Sequence, residues 1–183
     1  MTDHESYSIE IAGVKRDLRL FEIKPGLKIA ILNILGDTEL VQAAAKALAL
    51  ELKPVEFDIL VTAEAKSIPL AYALAVEVKK PYIVLRKTYK AYMGAALIAE
   101  TLSITTGEPQ TLIMDEKDQA LARGKKAVIV DDVISTGSTL QGMKMIMEKA
   151  GSEVVRVAAI LTEGERAKWE HIVALGHLPL FTS

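Results

Sequence analysis

The sequence predicts an α/β domain: a parallel sheet with helices on both faces and one inserted β-hairpin. Three observations carry that expectation. Short apolar, β-branched runs such as Phe57 to Val61, Lys126 to Val130 and Val154 to Leu161 have the pattern of strands buried on both faces. Helix-forming stretches lie between such runs, as βα units require. A single stretch, Ala95 to Met114, instead alternates apolar and polar residues on both sides of Thr106-Gly107-Glu108-Pro109, which has turn chemistry.

Taken in order, Leu40 to Leu52 is rich in helix formers, with Asp37 or Thr38 as the N-cap and Pro54 as the stop. Phe57 to Val61 is the next strand. A turn containing Glu64, Ala65, Lys66 and Ser67 leads into an Ala-rich helix from Pro69 to Val78, with proline in the first turn where no amide donor is needed. Tyr82 to Arg86 reads as a strand, and the hairpin follows. Lys126 to Val130 is a strand, Ser138 to Ala150 a helix ended by Gly151, and Val154 to Leu161 a further strand. After Gly164 a short charged helix runs through Trp169, and Leu180-Phe181 forms a last short strand. In such sheets ligands collect at the carboxyl ends of strands, which directs attention to the loops after Val61, Arg86, Val130 and Leu161.

Composition narrows the function. The chain has 183 residues, half of them hydrophobic, which suits one domain around one core. A formal net charge of −2 provides no basic field for a polyanion, so nucleic acid is not an expected partner. Cysteine is absent, which excludes disulfides, zinc–thiolate sites and thiol nucleophiles and leaves oxygen ligands for any metal. Met1 to Asp17 is polar and mixed in charge, and no apolar run reaches the ~18 residues of a membrane span. A cytoplasmic protein without a membrane partner is expected.

The loop after Val130 has the parts of a phosphate site. Backbone amides from Ser135 to Thr139 can point into one concavity, the hydroxyls add donors, Gly137 permits close approach, and the helix start adds positive potential. Asp131 and Asp132 cannot bind phosphate themselves but suit sugar hydroxyls or a magnesium ion. A P-loop would need a lysine after the glycine, and a dinucleotide loop more glycines.

The stretch Ala127 to Leu140, AVIVDDVISTGSTL, closely resembles the ribose-phosphate-binding signature of the type I phosphoribosyltransferases. The resemblance implies that family's fold, with a hairpin lid at 95–114 and an amino-terminal, base-side hood at 1–36 within a single domain. It implies that Asp131 and Asp132 hold the ribose hydroxyls of phosphoribosyl pyrophosphate, and a Mg2+ ion partly through substrate and water. Val133, Ile134, Ser135, Thr136, Gly137, Ser138 and Thr139 would hold the 5′-phosphate. The stretch Thr62 to Ala71 looks like the pyrophosphate loop of the adenine-specific members, which gives Glu64, Ala65, Lys66 and Ser67 to pyrophosphate. Arg86, Lys87 and Lys90 resemble the basic strand end that holds the leaving pyrophosphate, in some members across a dimer interface, so a homodimer is expected.

The resemblance begins at Lys24-Pro25-Gly26-Leu27 and reaches Leu178 to Phe181, so it covers most of the chain. It places Leu27 and Ile29 on the base side. Adenine-specific relatives usually have an aromatic and an arginine just after the Pro-Gly, where this chain has Ile29 and Ala30. Their hairpin tip commonly carries a catalytic glutamate, where this chain has Thr105-Thr106-Gly107. A purine base is implied, adenine first, with hypoxanthine or guanine as the alternative. Two other classes compete. A non-catalytic regulator would be expected to carry a basic DNA-binding domain, and a metal-dependent phosphatase would need further acids at ligand spacing. His171 and His177 are read as surface or packing residues, and Met143, Met145 and Met147 as gap-fillers. Trp169 is read as packing the terminal segment, and Glu100 and Glu108 as exposed hairpin charges.

Overall fold

The computed structural model describes residues 5–102 and 109–182. Five strands form a wholly parallel sheet: β4 (Ile59–Ala63), β5 (Tyr82–Leu85), β8 (Lys126–Ile134), β9 (Glu153–Glu163) and β10 (Val173–Leu178), in the order β10-β9-β8-β4-β5. Helices α1 (Thr38–Glu51) and α2 (Ile68–Val78) cover one face, and α4 (Ser138–Lys149) the other. Alternate residues explain how both faces are sealed. Val128 and Val130 join Leu40, Leu48, Leu70 and Leu74 in one core, while Ala127 and Ile129 join Met143, Ile146 and Met147 in the other. The methionines at 143 and 147 fill that second core, as expected of them.

The hairpin, β6 (Leu97–Leu102) with β7 (Pro109–Met114), lies against α4. Gly142 lets the two approach, since a Cβ there would stand 3.0 Å from Leu112 Cδ1. The tip, with Thr105, Thr106, Gly107 and Glu108, lies outside the described residues; Glu100 is exposed. A short helix α3 (Glu116–Ala122) returns the chain to β8.

A second sheet stands apart: β1 (Ser6–Ile11), β2 (Val14–Lys24) and β3 (Leu27–Ile31) run antiparallel, and β11 (Phe181–Thr182) adds to β3. Its inner residues Ile11, Leu18 and Ala30 extend the α1–α2 core. Tyr7 and Phe181 meet edge to face at 5.1 Å, joining the two ends of the chain.

Several boundaries differ from those expected. Strand β4 starts at Ile59 instead of Phe57, because the Asp58 carboxylate takes the Lys126 amide at 2.9 Å and Phe57 turns into the core. Strand β8 does not stop at Val130; it runs through both aspartates to Ile134, since β9 continues alongside and pairs Asp131 with Ala159 and Ile134 with Thr162. Strands β1 to β3, helix α3 and strand β10 were not anticipated. In β10, Gly176 sits where a Cβ would come within 2.8 Å of Leu161 Cδ2, so glycine there marks close strand packing. No helix among the described residues is long and apolar enough to cross a membrane.

Candidate active site

The chain leaves β4 toward β5 in one direction and β8 toward β9 and β10 in the other, so the gap between β4 and β8 is the topological switch point. A ligand crevice belongs at the carboxyl ends of strands there. Asp131 and Asp132 occupy the end of β8 and are each only 9% exposed. From the turn between β4 and α2, Ser67 reaches across: its Oγ donates to Asp131 Oδ1 at 2.7 Å, lies 3.1 Å from Asp132 Oδ1 and accepts from the Asp132 amide at 3.1 Å. Burial first, and the neighbouring Asp132 charge second, push the Asp131 carboxyl up to about 7, while the Ser67 hydroxyl offsets part of that shift.

Beyond the acids the chain turns through Ser135, Thr136 and Gly137 into α4. Gly137 takes φ 84°, a left-handed conformation that glycine adopts without strain. A Cβ on Gly137 would meet Trp169 Cη2 at 2.8 Å, so the indole lies against this turn. The Trp169 Nε1–H is spent on the Glu163 carbonyl at 3.0 Å, and Glu163 itself is buried, which raises its carboxyl pKa. Thr136 and Ser138 hydroxyls share a hydrogen bond at 3.1 Å, and Thr139 Oγ1 donates to Gln110 Oε1 of the hairpin at 3.2 Å. The turn encloses a cup of about 40 Å3 lined by Asp131, Val133 to Gly137, Thr139 and Leu140, the size of a single anion. A larger concavity of about 560 Å3, walled by Lys46, Leu50, Lys53, Phe57 and Lys80, opens beside the carboxyl ends of α1 and α2. None of the acid pair or its loop lines that concavity, so its size does not make it the centre of the chemistry.

The second loop supplies cations. Lys66 Nζ stands 3.9 Å from Asp132 Oδ2 and is about half exposed. Glu64 braces the end of β5: its Oε2 pairs with Arg86 Nε at 2.5 Å and its Oε1 accepts the Lys87 amide at 2.6 Å. Arg86 also exchanges two backbone hydrogen bonds with Ile113, both 2.8 Å, which fastens this strand end to the hairpin.

A family model for the phosphoribosyl transferase domain matches residues 31–175. The chain belongs to the phosphoribosyltransferase family. Among curated relatives, the adenine phosphoribosyltransferase of Thermosipho africanus is 31% identical over 80% of this chain and 83% of its own length. The hypoxanthine/guanine phosphoribosyltransferase of Methanococcus voltae is 34% identical over 59% of this chain and 54% of its own. The crystal structure of adenine phosphoribosyltransferase from Thermoanaerobacter pseudethanolicus superposes with a TM-score of 0.73 at 22% identity, covering 87% of this chain and 95% of that one, which establishes a shared fold.

In this phosphoribosyltransferase the acid pair, Ser135 to Thr139, Lys66 and Ser67 converge at one point, with Glu64, Arg86 and Lys87 beside them. Lys90 is exposed, and its amide turns to Met93 Sδ at 3.3 Å. Leu27 and Ile29 stand on β3, in the other sheet, where Ile29 pairs with Phe21. His177 is structural, as expected: Nε2 meets the Gly164 carbonyl at 3.0 Å and so carries the proton, leaving Nδ1 to accept from Thr162 at 2.9 Å. The sequence reading missed three contacts: Gln110 with Thr139, Trp169 with Gly137, and the Ser67 hydroxyl with the acids. No local pattern announces any of them.

Proposed function

We propose that the protein transfers the 5-phosphoribosyl group of phosphoribosyl pyrophosphate to a purine base, adenine in first place, releasing pyrophosphate, as a cytoplasmic homodimer. The observation that carries the reading is the adjacency of a buried acid pair to an anion cup whose helix start has no side-chain cap. Breaking the bond at the anomeric carbon leaves positive character on the sugar and negative charge on the departing diphosphate. The two carboxylates hold the sugar hydroxyls and face the developing cation; the Ser135 to Thr139 turn fixes the 5′-phosphate. Lys66, Arg86 and Lys87 are the cations within reach of the diphosphate, and Glu64 acts by holding the latter two in place.

Two carboxylates at one strand end fit a magnesium ion that arrives on the substrate, since Mg2+ keeps several waters and takes one or two carboxylates together with phosphate oxygens. Asp131 and Asp132 would hold it, and it would neutralise charge on the leaving diphosphate. Exposed Tyr72 and Val76 on α2 provide an apolar surface in keeping with self-association.

A 6-oxopurine is the second reading, favoured by the likeness to the Methanococcus voltae enzyme and by Ile29 and Ala30, which supply neither a stacking ring nor a polar side chain. The test is pyrophosphate release from phosphoribosyl pyrophosphate and magnesium with adenine, hypoxanthine, guanine or xanthine. Turnover is expected with adenine, at a kcat/KM within roughly 10–200-fold of that for hypoxanthine, the span that shape alone provides. A preference above about ten-thousandfold would reveal a polar readout of the base elsewhere. No turnover with any of the four would overturn the proposal.

A further inference from the structure

We propose that Ser67 is a positioning residue that couples the diphosphate side of the site to the sugar side. The inference rests on the function proposed above. Ser67 immediately precedes α2, where a serine ordinarily caps the helix by accepting an amide. Here its backbone is already helical (φ −81°, ψ −5°) and its hydroxyl makes no cap bond. That hydroxyl is instead committed to residues 64 and 65 positions further on.

A hydroxyl has one hydrogen to donate. The 2.7 Å contact takes it to Asp131, and the lone pairs receive the Asp132 amide at 3.1 Å. Ser67, in the turn that precedes α2, thereby fixes the Asp131 carboxyl plane and the Asp132 amide. Only 2% of Ser67 is exposed, so these bonds act where water does not weaken them. The same turn carries Lys66, 3.9 Å from Asp132, and Glu64, which grips Arg86 and Lys87. A diphosphate that draws on the 64–67 turn therefore moves the atom that aims the sugar-binding carboxylates. Occupancy of one half of the site sets the geometry of the other.

The experiment is calorimetric titration of ribose 5-phosphate into wild type and Ser67→Ala, with and without magnesium pyrophosphate. In wild type, magnesium pyrophosphate should tighten ribose 5-phosphate at least about fivefold, the lower end of ordinary coupling between sites. In Ser67→Ala the gain should fall below about twofold. A purely structural serine would weaken both ligands and leave their coupling intact. Ser67→Gly removes the same hydroxyl and carries the same expectation if the alanine variant does not fold. Equal tightening in wild type and variant, or none in wild type, overturns the coupling role alone. A wild-type protein that binds neither ligand overturns the proposed function, and the coupling with it.

Discussion

Helices α1 and α3 begin under aspartates that close them, whereas α2 and α4 begin open. Asp37 accepts the Leu40 amide at 3.2 Å and Asp115 the Lys117 amide at 3.1 Å. Ser67 and Gly137, in the same place before α2 and α4, make no side-chain cap bond. Every helix starts with amides that have no partner inside it, so an uncapped start needs water or a ligand. The open pair are the two helices that follow β4 and β8, on either side of the switch point. At α2 the Ile68 amide meets the Ala65 carbonyl at 3.4 Å and Pro69 has no donor, so the positive end potential is what suits an anion there; the start of α4 adds backbone amides. Asp37 is further held by Arg16 from β2, at 2.7 and 2.8 Å, so the start of α1 is filled from within the protein. The difference separates helices that serve the fold from helices that serve the site.

The comparison breaks most decisively at Gly137. In Gly137→Val a β-branched side chain would have to adopt φ 84° and stand 2.8 Å from the Trp169 ring, so ribose 5-phosphate binding should become undetectable by calorimetry. Wild-type affinity in a folded variant would remove the open start of α4 from the site.

Next in size are Asp131→Asn and Asp132→Asn. Losing a charged hydrogen bond of about 1.5–3 kcal/mol should lower kcat/KM roughly ten- to a hundredfold while the fold survives. Unchanged kinetics in both would reject the acid pair. Stability should move the other way for Asp131. Its folded pKa, about 7, lies above the ordinary value of an aspartate side chain, so the folded protein binds that proton more tightly than the unfolded chain does. The associated stability is present below about pH 4 and is lost as the pH rises through 7. Without metal, thermal melts between pH 5 and 8 should show a fall that Asp131→Asn flattens. A wild-type melting temperature constant across that range would contradict the burial of the pair as the cause.

The smallest effect sharpens the contrast from the capped side. Asp37→Ala should cost about 1 kcal/mol through the lost cap, which is roughly 2–4 °C for a chain of this size. Its part-exposed pairing with Arg16 adds little. Activity at 25 °C should not change. A fall in kcat/KM as large as that of the acid-pair variants would show that α1 also serves the site.

Much of this was legible before the fold was known, because the signals were contiguous. A buried strand, two acids, a small-residue turn and a helix follow one another from Lys126 to Ala150, and each is set by local periodicity or turn chemistry. The capping of α1 by Asp37 and its length were readable for the same reason. Strands β1 and β2 escaped because polar and charged residues make up much of them and only single inner positions, Ile11 and Leu18, are buried. Strand β10 escaped because Gly176 and His177 interrupt its apolar pattern.

By itself, then, the sequence determined the α/β class, the hairpin insertion and the identity of the two strand-to-helix turns. Tertiary structure decided how far β8 extends, since a strand continues only where a neighbour supplies hydrogen-bond partners, and β9 does so up to Ile134. It also decided that Ser67 serves two acids instead of its own helix, that Trp169 rests on Gly137, and that Arg86 is fastened between Glu64 and Ile113. Each of those contacts joins residues 22 or more positions apart. Local propensity carries no information about which of several polar side chains a buried group will meet; only the packing of one strand end beside another does.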